Sequence, residues 1–218
     1  MFSFFGEFIN LLAQALEFLE NIVGNYGLAI IVFTLFIKFA LLPLTLKQTR
    51  SMRDMQEIQP EMKKIQDKYE DDKEKQQEEM MKLYKENDVN PASGCLPMIL
   101  QLVILIPLYR AILSLKGVMG EATFLWIGNL TNGSLAQPDV TLVIINAIAM
   151  LAQTYITQKM GDGKSQGSKM MYIMPIFILF IGLQLPSGLL LYWFTSTIFT
   201  AIQHIIVNKE TKIKEVVK

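Results

Sequence analysis

Lys38 is the side chain in this sequence best placed to do chemistry. It lies deep inside an apolar run, Tyr26 to Leu46, and such a run crosses a bilayer because about 20 residues at ~1.5 Å each span a ~30 Å hydrocarbon core. A lysine near the centre of a span costs at least ~2.5 kcal/mol on insertion, so it belongs against a protein interior or a wet cavity. Snorkelling to the interface is the alternative. About eight residues, or ~12 Å of helix, separate Lys38 from Leu46, more than a lysine comfortably reaches. The charge therefore reads as functional, a cation that attracts acidic groups where water is scarce. Thr34 stands one turn earlier on the same face. Gln101, Asn146, Gln153, Thr195, Ser196, Thr197, Thr200 and Gln203 also fall within apolar runs. Singly, such residues are helix–helix glue. With a charge among them they predict a wet, polar cavity that binds by electrostatics and exchangeable hydrogen bonds.

Bond-making chemistry has little to work with. Cys95 is the single cysteine and His204 the single histidine, which excludes an internal disulfide and gives no metal cluster. His204, near the end of an apolar run, reads as a packed or interfacial residue. No Gly-rich phosphate loop, Ser/His/Asp set or paired metal-ligand motif occurs, so neither an enzyme nor a cofactor is expected.

The elements that must position Lys38 are helical and membrane-bound. Hydrophobic residues make up 51% of the chain and form long contiguous stretches, with charge segregated between them. Five spans are expected, at 26–46, 95–115, 139–158, 170–185 and 188–207. Pro186-Ser187-Gly188 divides an apolar stretch too long for one pass, and the fourth span is short. Pro107 and Pro175 are tolerable where neighbours satisfy the freed carbonyls. Residues 1–25 lack the basic start and cleavage site of a secretory signal. Glu7, Asn10, Gln14, Glu17 and Asn21 face away from Phe4, Phe5, Phe8, Leu11, Leu12, Leu16 and Leu19, which predicts an amphipathic helix in the membrane interface. A helix packed on the bundle would carry the same pattern. Gly24 and Gly27 bracket the bend into the first span.

Residues 47–94 are of another kind, with ten basic and twelve acidic side chains between Lys47 and Asp88. Met52, Met55, Ile58, Met62, Ile65 and Tyr69 recur at helical intervals, and Met80, Met81, Leu83 and Tyr84 follow a turn at Asp71-Asp72. This predicts a helical hairpin in water with a thin, mobile seam. Pro60 should start or kink the regular part of its first arm. Lys and Arg concentrate in 47–94, in 159–169 (Lys159, Lys164, Lys169) and in the 208–218 tail. The N-terminus and residues 116–138, with Lys116 alone, lie opposite. The positive-inside rule then puts the N-terminus outside and the C-terminus in the cytoplasm, with Trp126 as an outer anchor.

The ordered motifs resemble one known family, the YidC-type membrane-protein insertases. They are Phe39-Ala40-Leu41-Leu42-Pro43-Leu44 leading into Lys47-Gln48-Thr49-Arg50-Ser51-Met52, then Ile58-Gln59-Pro60-Glu61 and Met80-Met81-Lys82-Leu83-Tyr84-Lys85. Asn90-Pro91-Ala92-Ser93-Gly94-Cys95-Leu96-Pro97, Gln101, Gln158-Lys159-Met160 and Pro186-Ser187-Gly188-Leu189 to Leu191-Tyr192-Trp193 complete them. The resemblance implies an all-α membrane protein in a bacterial plasma or inner membrane, five transmembrane helices around a polar groove, and a hairpin that receives clients. It implies a client groove of Thr34, Lys38, Gln101, Asn146, Gln153, Trp193, Thr197 and Thr200, and hairpin contacts at Met52, Met55, Met62 and Met80. Implied partners are client membrane proteins with short hydrophilic tails, the lipid bilayer, the Sec translocase and the ribosome, with no nucleic acid recognised directly. Lys38 departs from the family's usual arginine, keeping the charge but not the bidentate fork. The large extracytoplasmic domain of some members is absent, as is the lipid-modified cysteine of others. The short, mildly basic tail is a weak basis for ribosome binding. A small transporter or channel with Lys38 as an anion site is the competing reading, but no paired broken helices in two halves are visible.

Overall fold

The computed structural model describes residues 2–90, 96–115, 119, 122–127, 139–158 and 173–216. Nine helices are described: α1 (Phe2–Val23), α2 (Tyr26–Ala40), α3 (Leu42–Glu57), α4 (Gln59–Lys68), α5 (Lys73–Glu86), α6 (Leu96–Ser114), α7 (Val140–Gln158), α8 (Ile173–Gly182) and α9 (Ser187–Val216). By length and composition α6, α7 and residues Ser187–Lys209 of α9 can cross a membrane, and α1 with α2 forms a bent pair that passes the same test. These make three to four candidate spans among the described residues.

One expected span differs for a local reason. The helix expected to run from 26 to 46 stops at Ala40, and Leu41 serves both as the C-cap of α2 and as the N-cap of α3. Pro43 occupies the first turn of α3, and without an N–H it cannot carry the hydrogen-bond ladder across the junction. At 15 residues α2 is ~22 Å long. Of the fourth expected span, 170–185, α8 covers Ile173–Gly182, ~15 Å; residues 159–172 lie outside the described residues. Beyond the expected fifth span, 188–207, α9 continues to Val216, so most of the expected tail is helical.

Gly24, at φ +70°, supplies the left-handed residue between α1 and α2, whose axes bend by 118°. Asn25 then caps α2 through its side-chain oxygen, which accepts from the backbone of Gly27 and Leu28. The expected interfacial helix is thereby docked on the bundle. Leu12 and Leu16 are buried in the core, while Glu7, Asn10 and Gln14 are exposed, as is Leu11 on the face expected to be covered.

The main core joins α1, α2, α6, α7 and α9 through Leu16, Ile30, Phe33, Leu108, Ile112, Leu142 and Leu190, among others. All of these lie toward one end of their helices. The segment 122–127 closes that end: Phe124 sits against Gly27, where any side chain would collide with it, and Asn25 Nδ2 donates to the Thr123 carbonyl at 3.0 Å. Trp126 stays half exposed beside it. The outward faces of α6, α7 and α9 carry exposed Val103, Ile106, Ile148, Ile202 and Ile206, as helices facing lipid must.

Away from the bundle, α4 and α5 form a small hairpin around Ile58, Leu83 and Val89, with Met55, Met62, Ile65 and Tyr84 packed against them. Pro60 lies in the first turn of α4, and Asp72 caps α5 by accepting from the Lys75 N–H. The first arm changes helix at Ile58, the C-cap of α3 and the N-cap of α4, so Pro60 starts the regular part of the arm as expected.

Candidate functional site

Beyond Phe33 and Leu108 the interior changes from apolar to polar. On α9, Tyr192, Ser196, Thr200 and Gln203 recur at intervals of four, four and three, which puts them in one stripe. Thr200 Oγ1 accepts from Lys38 Nζ at 3.2 Å and donates to the Ser196 carbonyl at 2.9 Å. Ser196 Oγ donates to Gln101 Oε1 at 3.4 Å, and the Gln101 amide nitrogen is buried without a partner among the described residues. The buried Tyr192 hydroxyl has no hydrogen-bond partner among the described residues. One turn further along α9, Gln203 Oε1 accepts from Thr45 Oγ1, and its Nε2 donates to Thr49 Oγ1, each at 3.2 Å. Lys38 is half-buried, and its described partner is a neutral hydroxyl. The arrangement offers a cation and several hydrogen-bonding groups whose present partners are easily exchanged. The next residue, exposed Phe39, packs edge-on to Phe199 of α9 with ring centroids 5.2 Å apart.

The expected site residues divide accordingly. Lys38, Gln101 and Thr200 converge with Ser196. Thr34 does not join them: it is fully buried, and its hydroxyl turns back to the Ile30 carbonyl at 2.6 Å. Asn146 is placed in the apolar end, where Nδ2 donates to the carbonyls of Leu142 and Leu190. Leu190 and Thr200 are ten residues apart on α9, ~15 Å. Asn146 thus acts as helix–helix glue, as polar residues within spans commonly do. Thr197 is buried, whereas Gln153 and Trp193 are half-buried. Thr195 turns to another face, in an apolar groove of about 360 Å³ that includes Ile31, Leu35, Ile145 and Ile198.

Thr45 and Thr49 carry part of the polar layer and were not among the expected residues. Their signal is an i, i+4 threonine pair after Pro43 that straddles the expected end of the first span at Leu46. Buried Gln48 adjoins them in sequence. His204 is packed, as its position suggested: it is buried with Nδ1 3.4 Å from Thr157 Oγ1, tying α9 to α7. Among the described residues no three His, Cys, Asp or Glu side chains group as metal ligands.

On the hairpin, Met55 and Met62 pack on its small core, while Met52 and Met80 are half-buried outside it. Lys82 bridges Glu78 and Glu79 at 2.9 and 2.8 Å. Its hydrogen bond holds the Glu79 carboxyl below the ordinary range. Burial in the seam raises the Tyr84 phenol.

Comparison with known proteins accounts for this architecture. The family described as "60Kd inner membrane protein" matches residues 18–215. A membrane protein insertase YidC of Fusobacterium nucleatum is 42% identical over 210 residues, 92% of this chain and 97% of that one. One from Caldanaerobacter subterraneus is 44% identical, covering 92% and 94%. The Citrifermentans bemidjiense YidC is 36% identical, but this chain spans only 38% of its length. A crystal structure of an active YidC insertase, with its first transmembrane domain resolved, superposes with a TM-score of 0.72 at 32% identity, covering 92% of this chain and 45% of the other. With near full-length identity to short relatives and a shared fold, the chain belongs to the 60Kd inner membrane protein family, the family of the YidC membrane protein insertases.

Proposed function

We propose that this protein inserts client membrane proteins by receiving their hydrophilic segments in the polar layer between α2, α3, α6 and α9. The observation that carries the reading is the Lys38–Thr200–Ser196–Gln101 constellation placed beyond a sealed apolar core. A hydrophilic tail crossing hydrocarbon leaves polar groups unsatisfied at several kcal/mol each. A polar recess partway across shortens that barrier. Lys38 attracts acidic groups on the client, while Gln101, Ser196 and Thr200 exchange hydrogen bonds with it. Partition of the client's apolar helix into lipid then drives release, so binding in the recess has to stay weak. No covalent bond is made or broken, and the protein is an insertase rather than an enzyme.

The proposed setting is a bacterial plasma membrane, with the polar layer open to cytoplasm and lipid. The N-terminus lies outside and α3–α5 lie in the cytoplasm, because Lys and Arg concentrate in 47–94. Five passes, with α8 as the short fourth, fit that orientation. The hairpin methionines give an adaptable surface for first contact with clients. The Sec translocase and the ribosome are proposed partners.

Reconstitution into liposomes with a single-span client bearing an acidic N-tail tests this. Lys38→Arg should retain insertion, Lys38→Ala should lower it several-fold, and Lys38→Glu should lower it further, since attraction is kept, removed and then reversed. Neutral-tailed clients should respond little. In the same vesicles an impermeant maleimide should reach Gln77→Cys and Lys214→Cys from one side and Ser3→Cys from the other. Equal insertion by the lysine, alanine and glutamate forms at matched protein levels would defeat the proposal, and anion flux without insertion would favour a transporter.

A further inference from the structure

Three features of the chain bear on how the hairpin is held over the polar layer. The first is a pivot. Leu41 is shared by α2 and α3, and Pro43 interrupts the ladder two residues later. The direction of α3 relative to α2 is therefore set by tertiary contacts rather than by a continuous helix. The second is a lever. Met55 and Ile58, at the far end of α3, belong to the same small core as Met62 and Leu83 of the hairpin. Hairpin and α3 thus move together. With 16 residues, α3 is ~24 Å long, so a turn of ~10° at the pivot displaces its far end by ~4 Å.

The third feature is a clasp between the lever and α9. Gln203 is 5% exposed, and both ends of its amide are used: Oε1 accepts from Thr45 Oγ1 and Nε2 donates to Thr49 Oγ1, each at 3.2 Å. Thr45 and Thr49 present one face of α3 because they are four residues apart. Thr49 Oγ1 can accept from Gln203 because its own hydrogen is donated to the Thr45 carbonyl at 2.9 Å. Thr45 shares its one hydroxyl hydrogen between Gln203 Oε1 and the Leu42 carbonyl, both at 3.2 Å, so it is Thr49 that orients the amide, nitrogen toward Thr49 and oxygen toward Thr45. Gln203 also follows Thr200, the partner of Lys38, by three residues on the same stripe.

We propose that Gln203 is a positioning residue. With Thr45 and Thr49 it clasps the root of α3 to α9 and so fixes the stance of the cytoplasmic hairpin relative to the polar layer. Two side-chain hydrogen bonds within a membrane are weak enough to open, so the clasp biases the lever without welding it. A client pulling Lys38 from Thr200 works on the same face of α9 that holds the clasp. The consequence for insertion rests on the function proposed above, but the consequence for geometry does not.

The test is a distance measurement on the full chain in lipid nanodiscs, with spin labels at Gln77→Cys on α5 and Lys209→Cys on α9 in a Cys95→Ser background. Gln203→Leu should at least double the width of the distance distribution or shift its mean. Thr49→Val exchanges a hydroxyl for a methyl at constant shape and should act in the same direction even if Gln203→Leu folds poorly. Thr49→Ser keeps the hydroxyl and should restore the original distribution. Insertion of the acidic-tailed client, measured on the same variants, should fall where the distribution broadens. Unchanged distributions in both Gln203→Leu and Thr49→Val would overturn the clasp. A broadened distribution in a protein that never inserts clients would uphold the clasp and remove the function on which its use depends.

Discussion

The two ends of the helical bundle are built from the same helices and opposite materials. Toward one end α2, α6 and α9 contribute Ile30, Ile112 and Leu190, all without measurable exposure. Toward the other they contribute Lys38, Gln101, Ser196 and Thr200, bonded to one another through neutral, exchangeable contacts. In lipid an apolar core gains no hydrophobic advantage over the surrounding tails, so it holds by close packing. Polar groups hold by hydrogen bonds, which on the function proposed above a client would replace. The difference between the two ends lies in side chains alone.

Identical substitutions at the two ends should therefore have different consequences, and this is the largest expected effect. Ile112→Asp places a carboxylate in a fully buried apolar site with no partner, at a cost of about 3 kcal/mol or more. It should abolish monodisperse protein after extraction. Ser196→Asp places the same group in the polar layer, one turn from the hydroxyl that binds Lys38. It should leave folded yield close to wild type while lowering insertion of acidic-tailed clients several-fold, because the cation is neutralised in place. Equal loss of yield would mean that the polar end is packed as tightly as the apolar one.

Asn146 sharpens the boundary, since it is a polar residue on the apolar side. Its amide donates to the Leu142 and Leu190 carbonyls, while its oxygen is buried without a partner among the described residues. Asn146→Leu removes hydrogen bonds worth ~0.6 kcal/mol each on average in membrane proteins, and also removes the unpaired oxygen. Thermal stability should change by only a few degrees and client preference not at all. A changed preference for acidic tails would extend the client path into the apolar end.

Much of this was legible in the sequence, and what was not has physical causes. A lysine twelve residues into an apolar run announces itself, because nothing but a functional or structural partner offsets its insertion cost. The spacing of Ser196, Thr200 and Gln203 is likewise visible. The division between the ends is not. Ile112 is buried and Ile106 on the same helix is 49% exposed to the surroundings, yet both are isoleucines in a run where lipid and protein are equally apolar. Hydropathy cannot separate them. For the same reason Asn146 could be read into the groove, although packing places it elsewhere. The break at Leu41 was obscured because Pro43 is tolerable inside a membrane helix, so the sequence permitted either a kinked span or two helices. Thr45 and Thr49 went unnoticed as a consequence.

The hairpin provides the smallest expected effect and a control on the comparison, since it has neither a thick apolar core nor a buried charge. Its seam is Ile58, Leu83 and Val89, and its exposed charges are partly matched, with Lys82 between Glu78 and Glu79. Fully exposed pairs contribute little because water and salt screen them. Lys82 holds the Glu79 carboxyl below its ordinary range, so any contribution is present above that range and is lost as pH falls through it. Glu79→Gln should speed amide hydrogen exchange in α5 slightly at neutral pH. In acid, variant and wild type should exchange alike, and added salt should erase the neutral-pH difference. Leu83→Ala, by contrast, should loosen the whole hairpin at every pH, because it removes a buried side chain of the seam. If Glu79→Gln matched Leu83→Ala, the hairpin would be held by its surface charges and the methionine seam would be free to serve clients entirely.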